Sequence, residues 1–321
     1  MKWPSKGVST RVTGFAHIDG APGATWPPPR PRGVGWAFVL LLLLTGAALA
    51  AIVALAGLVI GCVMLVERDA DWAGFGAAHE GVLTGLLLAG VSAIMASAFF
   101  LQSWFRDRRP PAALGLSRPR WAVFAMWWGG AVVLVAPLLA IACAEQNVWS
   151  LLPASLLAAA GAAPFFFIQS SAEEIMFRGW LLQTISARHG ALIGLIASSL
   201  LFALLHLDPI ETPLGMVVGV LARVPLGMAL GLLALRYSNL WAGFGLHAGW
   251  NAAMFCSAAL QTARSGVSPW QALLSSNSHT VLRDLIEPGF LATIGIMLIG
   301  LAIVWFTSGD VRDRLLAKAQ T

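Results

Sequence analysis

Long, uninterrupted runs of apolar residues alternate with short polar segments along most of the chain. Several runs reach the roughly 18 to 20 residues that a helix needs to cross the hydrocarbon core of a bilayer. Such a pattern is typical of an all-α, polytopic transmembrane helical bundle. It predicts eight spans, at residues 37–66, 82–104, 121–143, 151–175, 191–207, 214–235, 240–260 and 290–307.

Composition supports the same fold class. The chain is 58% hydrophobic and 11% charged, whereas a soluble domain is about 25% charged. The first run, from Trp36 to Val66, is much longer than the roughly 7 to 15 apolar residues of a cleaved signal. We therefore interpret it as a transmembrane helix. Residues 1–35 are polar and rich in proline, which predicts a disordered cytosolic tail.

The distribution of lysine and arginine predicts the orientation in the membrane. With the N-terminus inside, the inside segments hold 15 of the 20 Lys and Arg residues and the outside loops hold three. Positive charge concentrates on the cytosolic side of membrane proteins, so both termini are expected in the cytosol. The net charge of +5 is spread over these loops. It forms no clustered basic face, so the bilayer is a predicted partner and nucleic acid is not.

The cysteines give no sign of a metal site or a disulfide. Cys62, Cys143 and Cys256 lie far apart in apolar runs, with no CxxC spacing. They are expected to be small buried apolar side chains. No metal and no cofactor is predicted. In the sixth run, Gly227 and Gly231 form a GxxxG pattern that favours close helix packing.

Six polar side chains interrupt the fourth, fifth and seventh apolar runs. An ionisable side chain at mid-bilayer costs about 2.5 to 3.5 kcal/mol even on the more lenient insertion scale. Such groups are therefore expected to face one another or a hydrated cavity. The six residues are Glu173, Glu174, Arg178, His206, His247 and Asn251.

Their spacing indicates how they could meet. Glu174 and Arg178 are four residues apart, on one helix face. His247 and Asn251 repeat that spacing, among small residues that allow close packing. From the turn predicted at residues 189–190, Glu173 and His206 lie nearly equally far along two antiparallel helices.

The seventh helix is harder to match in depth. His247 lies only about eight residues past the turn predicted at residues 238–239, and a helix rises about 1.5 Å per residue. For His247 to meet Glu173, the hairpin around Arg188 would have to project into the cytosol by roughly two turns.

This set of side chains suits peptide hydrolysis. A carboxylate and an imidazole can hold a water molecule and remove its proton. His247 and Asn251 offer N–H donors on one helix face, and fixed donors aimed at a developing oxyanion are usually the largest catalytic term in acyl transfer. A base, a water and oxyanion donors make a hydrolase that needs no covalent intermediate.

Three motifs resemble those of a known family. "EEIMFR" begins at Glu173, "FALLH" at Phe202 and "HAGWN" at His247. They look like the EExxxR, FxxxH and HxxxN motifs of the CPBP intramembrane glutamic endopeptidases. That family comprises the type II CAAX prenyl proteases and bacteriocin-processing, abortive-infection-like proteins. The resemblance covers about residues 150–260.

The resemblance implies a role for each motif residue. Glu173 would activate the water, with His206 as its partner, and His247 and Asn251 would form the oxyanion hole. The substrate would be a membrane-associated protein or peptide, such as a lipidated one, and the location the inner or plasma membrane of a bacterium. The remaining motif residues would orient and support the first glutamate; these are Glu174 and Arg178.

The resemblance also divides the chain. Residues 36–149 would form three N-terminal spans, and residues 150–260 the catalytic core. Residues 261–321 would contain an extracytoplasmic loop, the last span and a cytosolic tail. The Pro-rich segment at residues 1–35 would precede these parts.

Two alternative functions remain open from the sequence. Glu174, His206 and His247 could supply the ligands of a zinc protease. However, no HExxH helix exists: "HEGVL" at His79 fails at its fifth position and is expected in a loop. The second alternative is a non-catalytic immunity or transport protein, because buried charges also mark ion pathways. Arg223, in the middle of the sixth run, is unexplained by the protease interpretation and fits this alternative better, but it could equally bind a substrate carboxylate.

Overall fold

A computed structural model describes residues 35–37, 39–47, 50, 72–116, 118–206, 213–262, 269, 288–309 and 311. All regular secondary structure within these residues is helical, with no strand among them, so the predicted all-α class is confirmed. The main helices are α1 (Gly35–Ala47), α2 (Trp72–Leu101), α3 (Trp121–Gln146), α4 (Leu152–Glu174), α5 (Gln183–His189), α6 (Ala191–Leu204), α7 (Pro213–Tyr237), α8 (Trp241–Thr262) and α9 (Pro288–Thr307).

The helices form a polytopic bundle. In the described part of the chain, four are long and apolar enough to cross a membrane: Leu83–Arg106, Trp121–Ile141, Trp149–His189 and Gly219–Tyr237. Shorter apolar helices occur at Gly35–Ala47, Ala191–Leu204 and Met297–Thr307. Most of the predicted first span lies outside the described residues. The number of eight spans and the cytosolic termini therefore stay predictions.

The predicted end of the fourth span, near residue 175, is wrong, because the helix continues beyond it. Helix α4 continues without a break into a π-helical segment, Ile175–Leu182, and then into α5. The predicted turn at residues 189–190 is confirmed: Gly190 has φ +88°, a conformation that glycine adopts without strain. Residues 176–186 of this extension are buried within the protein. The extra helical length therefore supplies core packing as well as a link to α6.

Helix α8 packs mainly against α3 and α4. Gly245 and Gly249 let its backbone approach that of α3: a methyl group added at Gly249 would lie 2.9 Å from the carbonyl oxygen of Trp128. The close packing predicted from the small residues of α8 is confirmed. It holds one face of α8 against α3 while another faces α4.

Helices α6 and α7 form an antiparallel pair, with the close packing predicted from the glycine spacing of α7. Gly227 packs on Ser199, and Gly231 packs on Leu195. The two contacts define one register, in which moving four residues forward along α7 corresponds to moving four residues backward along α6.

The loop between α2 and α3 is fastened to the π-helical segment by buried polar groups. Arg109 is 2% exposed, and its Nη2 donates to the carbonyl oxygen of Ala113 at 2.7 Å and to Oε1 of Gln183. Trp180 Nε1 donates to Asp107 Oδ2 at 3.1 Å. Burial lowers the pKa of Arg109 to about 10, and the charge of Asp107 opposes that shift. The guanidinium therefore stays charged at neutral pH.

Two smaller expectations have different outcomes. Cys143 and Cys256 are buried and free, as predicted, whereas Cys62 lies outside the described residues. The loop placement of His79 is wrong, because α2 already begins at Trp72. The residues before the predicted span continue the helix instead of forming a loop.

Candidate active site

The two consecutive glutamates stand at the end of α4 in different environments. Neighbouring residues on a helix are rotated by about 100°, so Glu173 and Glu174 point in different directions. The Glu174 side chain is 0% exposed and that of Glu173 is 16% exposed. The pair therefore divides into one fully enclosed carboxylate and one at the edge of the site.

Glu174 is the centre of a buried charge cluster. Its Oε1 accepts a hydrogen bond from Arg178 Nη1 at 2.8 Å and one from His247 Nδ1 at 3.0 Å. Arg178 Nη2 also donates to the carbonyl oxygen of Gly227 at 3.1 Å. The predicted pairing of Glu174 with Arg178 is present, and in addition Glu174 holds a histidine of another helix.

The surroundings of Glu174 are shaped to fit it. A methyl group added at Gly243 would lie 3.0 Å from Glu174 Oε2, so α8 carries no side chain there. The Arg178 guanidinium lies over the ring of Phe202, 4.5 Å from its centre, an arrangement that stabilises a desolvated cation. The buried pair is thus enclosed by packed groups from three helices.

Glu173 faces both histidines through a single oxygen. Its Oε2 lies 3.3 Å from His206 Nε2 and 3.7 Å from His247 Nε2. The equal height predicted for Glu173 and His206 agrees with this distance. Oε2 is buried and forms no hydrogen bond with any described residue. Glu174 Oε2 also forms no hydrogen bond with a described residue. However, Glu174 is fully enclosed, so Glu173 Oε2 is the oxygen left available to a water or a substrate.

The orientation of His206 is set by its own helix. Its Nδ1 lies 2.7 Å from the carbonyl oxygen of Phe202; because a carbonyl only accepts, Nδ1 carries the proton. With Nδ1 held by its own helix, the other ring nitrogen, Nε2, lies toward Glu173. The Phe202 ring also lies beside both imidazoles, 4.5 Å from His206 and 5.7 Å from His247 between ring centres.

Asn251 is connected to Glu173 through a residue that no motif identified. Asn251 Nδ2 donates to Gln169 Oε1 at 2.8 Å and to Ser170 Oγ at 3.2 Å. Gln169 Nε2 in turn donates to Glu173 Oε1. The only signal available in the sequence is that Gln169 precedes Glu173 by one helical turn. An uncharged amide in an apolar helix is weak evidence of a site on its own.

Arg223 lies on α7, at a position that the sequence connects with transport or with a substrate carboxylate. It precedes Gly227 by one turn, on the stripe of α7 that contacts α6. Its Nη1 donates to the carbonyl oxygen of Gly219 at 3.3 Å, so the side chain points back along α7. In the register set by Gly227 on Ser199, Arg223 is level with Ala203, three residues before His206. The guanidinium therefore lies at the height of the catalytic candidates.

The structure thus brings all six predicted site residues together, on α4, its π-helical extension, α8 and the turn that follows α6. Within the described ranges, no group of three or more His, Cys, Asp or Glu side chains is arranged to hold a metal ion. The distance from His247 to Glu173 resolves the mismatch in depth expected for the seventh span. The long helical rod from Trp149 to His189 provides the extension that this meeting requires.

Comparison with known proteins confirms the predicted resemblance. Residues 153–253 match the family model described as Rce1-like, type II CAAX prenyl endopeptidase Rce1-like. The matched segment contains all six predicted site residues. No curated protein and no solved structure matches the chain. The match makes this segment similar to that family, and the long apolar helices indicate an integral membrane protein.

Proposed function

We propose that the protein is a metal-independent glutamic endopeptidase that hydrolyses a peptide bond in a membrane-associated protein or peptide. The observation that carries this proposal is the position of Glu173 Oε2 between His206 Nε2 and His247 Nε2, at 3.3 and 3.7 Å. A carboxylate oxygen beside two imidazole nitrogens can bind a water molecule and take its proton.

The general base is Glu173 and not Glu174. Glu174 is fully enclosed and already accepts hydrogen bonds from Arg178 and His247. A base that must receive a proton from water needs a reachable oxygen without a competing cation. Glu173 is partly exposed and has one such oxygen, which supports its assignment.

The reaction proceeds by direct attack of water. Glu173 removes a proton from the water, and the water oxygen forms a bond to the carbonyl carbon of the substrate. The carbonyl oxygen becomes the oxyanion of a tetrahedral intermediate. The C–N bond then breaks, and the proton held by Glu173 passes to the departing amine. His206 holds the attacking water through Nε2, because its Nδ1 is bound to Phe202.

The oxyanion is stabilised by His247 and Asn251. His247 donates through Nδ1 to Glu174 at 3.0 Å, which fixes the orientation of its ring. Its other ring nitrogen, Nε2, faces the site beside Glu173 and donates to the oxyanion when it carries a proton. Asn251 supplies a neutral N–H from the next turn of α8. Arg178 acts indirectly, since it holds Glu174 in place.

A comparison of membrane peptide termini tests the proposal. Strains that carry the wild-type protein or the Glu173→Gln variant, at matched protein levels, are compared by mass spectrometry. We expect a defined set of uncut precursors to accumulate in the variant, with the corresponding cleaved termini present in the wild type. Identical termini in the two strains would refute the peptidase function and favour a binding or transport protein.

The same junctions distinguish the zinc alternative. A peptide that carries an accumulating junction is cleaved by purified wild-type protein before and after exhaustive chelation. We expect the two rates to agree within about twofold, because the proposed base is a side chain and not a metal-bound water. Loss of cleavage that added zinc restores would assign the reaction to a metalloprotease.

A further inference from the structure

Gln169 joins the two sides of the site in a hydrogen-bonded chain. It lies on α4, one turn before Glu173, and contacts Asn251 of α8. Asn251 Nδ2 donates to Gln169 Oε1 at 2.8 Å, and Gln169 Nε2 donates to Glu173 Oε1. The chain therefore runs from the predicted oxyanion donor to the predicted base.

When Glu173 is ionised, the hydrogen bonds of this series can run in only one donor-to-acceptor direction. A carboxylate oxygen accepts hydrogen bonds and donates none, so the amide of Gln169 must turn its NH₂ group toward Glu173. The oxygen of Gln169 must then face Asn251, which can meet it only with Nδ2. The charge of Glu173 thus fixes which end of the Asn251 amide points toward α4.

This arrangement leaves one bonding position of each key group for the reaction: an oxygen of Glu173 and an N–H of Asn251. Glu173 is held through Oε1, so Oε2 remains directed at the two histidines. Asn251 is held through its 2.8 Å bond to Gln169, while its second N–H makes a longer contact of 3.2 Å with Ser170 Oγ. The longer bond is the one that a strongly accepting oxyanion can displace.

We propose that Gln169 is a positioning residue of the peptidase, and this inference rests on the function proposed above. Gln169 orients Glu173 for removal of the water proton. It also orients Asn251 so that its second N–H can move from Ser170 to the oxyanion. It does not touch the reacting atoms. Because both contacts matter in the transition state more than in substrate binding, the loss of Gln169 lowers kcat and leaves KM nearly unchanged.

The test uses purified full-length protein in liposomes. The probe is a peptide that carries a junction found uncut in the Glu173→Gln membranes. Gln169→Met keeps the length of the side chain and removes both hydrogen bonds. We expect kcat to fall by about ten- to a hundredfold, with KM within about twofold of wild type. Ser155→Ala, a buried polar change at the other end of α4, is the matched control and should leave both constants within about twofold.

A double-mutant cycle separates positioning from general packing. Asn251→Ala alone is expected to lower kcat more than Gln169→Met. If Gln169 acts in part through Asn251, the combined loss in the double variant is smaller than the product of the two single losses. A loss of kcat in the double variant equal to the product of the two single losses would contradict the positioning role. So would a fall in activity that only follows the fraction of folded protein.

The outcomes also separate this inference from the function on which it rests. If no junction accumulates in the Glu173→Gln membranes, both the peptidase function and the role of Gln169 are refuted. If a junction accumulates and wild-type protein cleaves it, but Gln169→Met has the kcat of wild type, only the role of Gln169 is refuted.

Discussion

His247 Nδ1 donates a 3.0 Å hydrogen bond to Oε1 of Glu174, and both side chains are almost completely buried. The same oxygen accepts from Arg178. The second glutamate of the pair therefore orients a histidine of α8, whereas the first lies beside His206. This division of labour leads to distinct expectations for the two glutamates.

Replacements of the two glutamates should differ in their effect on stability. Glu174→Gln leaves the buried Arg178 without its carboxylate, which should lower the free energy of unfolding by about 3 to 5 kcal/mol. Glu173→Gln should change it by less than about 1 kcal/mol and abolish cleavage. Thermal unfolding in detergent, together with the peptide assay, measures both effects.

The double variant Glu174→Gln/Arg178→Gln provides the control for this charge argument. Removing both charges takes away the uncompensated cation, so part of the lost stability should return. Activity should not return, because His247 still lacks its anionic acceptor. Equal instability of the single and double variants would contradict the role assigned to the buried charge.

Gly179 lies where the π-helical segment passes the loop between α2 and α3. A methyl group added there would lie 2.8 Å from the carbonyl oxygen of Leu114. Because a backbone atom cannot move away easily, Gly179→Ala should destabilise the protein by about 1 to 3 kcal/mol. Gly161→Ala, on the exposed side of α4 with no neighbouring atom within 4 Å, is the control and should be neutral. Unfolding temperatures of the two variants decide the matter, and similar values would refute this packing argument.

The Arg109 anchor should stabilise the fold by an amount that is constant from pH 6 to 9. Burial lowers the pKa of Arg109 from 12.5 to about 10, so the folded state binds fewer protons than the unfolded state only between those values. Stability from this group can therefore rise only in that alkaline window, and below it both states keep the proton. Arg109→Met should unfold at a lower temperature than wild type, with a difference independent of pH from 6 to 9.

Unfolding curves of wild type and Arg109→Met, recorded at several pH values, measure this difference. The exposed neighbour Arg106 provides the control variant Arg106→Met, which should match wild type. A difference between Arg109→Met and wild type that changes steeply between pH 6 and 9 would show that another group titrates with the anchor.

Asn251 should matter for catalysis and little for folding. Loss of one oxyanion donor typically lowers kcat by about a hundred- to a thousandfold, which is the effect expected for Asn251→Ala. Asn239 makes a matched control, because it is also an asparagine and lies just before α8, the helix that contains Asn251. Its Oδ1 accepts from the backbone N–H of Trp241 at 3.1 Å. Asn239→Ala should cost about 1 kcal/mol of stability and leave kcat unchanged; the reverse pattern would argue against the assigned roles.

The sequence predicted those parts of the site that depend on position along a single helix or a single hairpin. A spacing of four residues places Glu174 and Arg178 on one face. The turn at Gly190 sets the common height of Glu173 and His206. Both relations follow from the 1.5 Å rise and 3.6-residue turn of a helix, and both agree with the distances in the structure.

The remaining contacts depend on how helices pack side by side, which spacing does not encode. The bond between Glu174 and His247 requires the particular rotation of α8 that its glycines allow against α3. The contact of Gln169 with Asn251 depends on the same rotation. A match in depth required an extension of about two turns around Arg188, but spacing did not predict that α4 continues into it through a π-helical segment.

Glu173 is the residue on which the proposed function depends most, and its replacement tests that function most directly. Purified wild-type, Glu173→Gln and Glu174→Gln proteins are placed in liposomes after exhaustive chelation, and initial rates of peptide cleavage are measured per folded molecule. We predict that the chelated wild-type protein retains its rate and that Glu173→Gln loses about a thousandfold or more. Wild-type cleavage that disappears on chelation and returns with zinc, or Glu173→Gln cleavage at the wild-type rate, would contradict a glutamate-activated water.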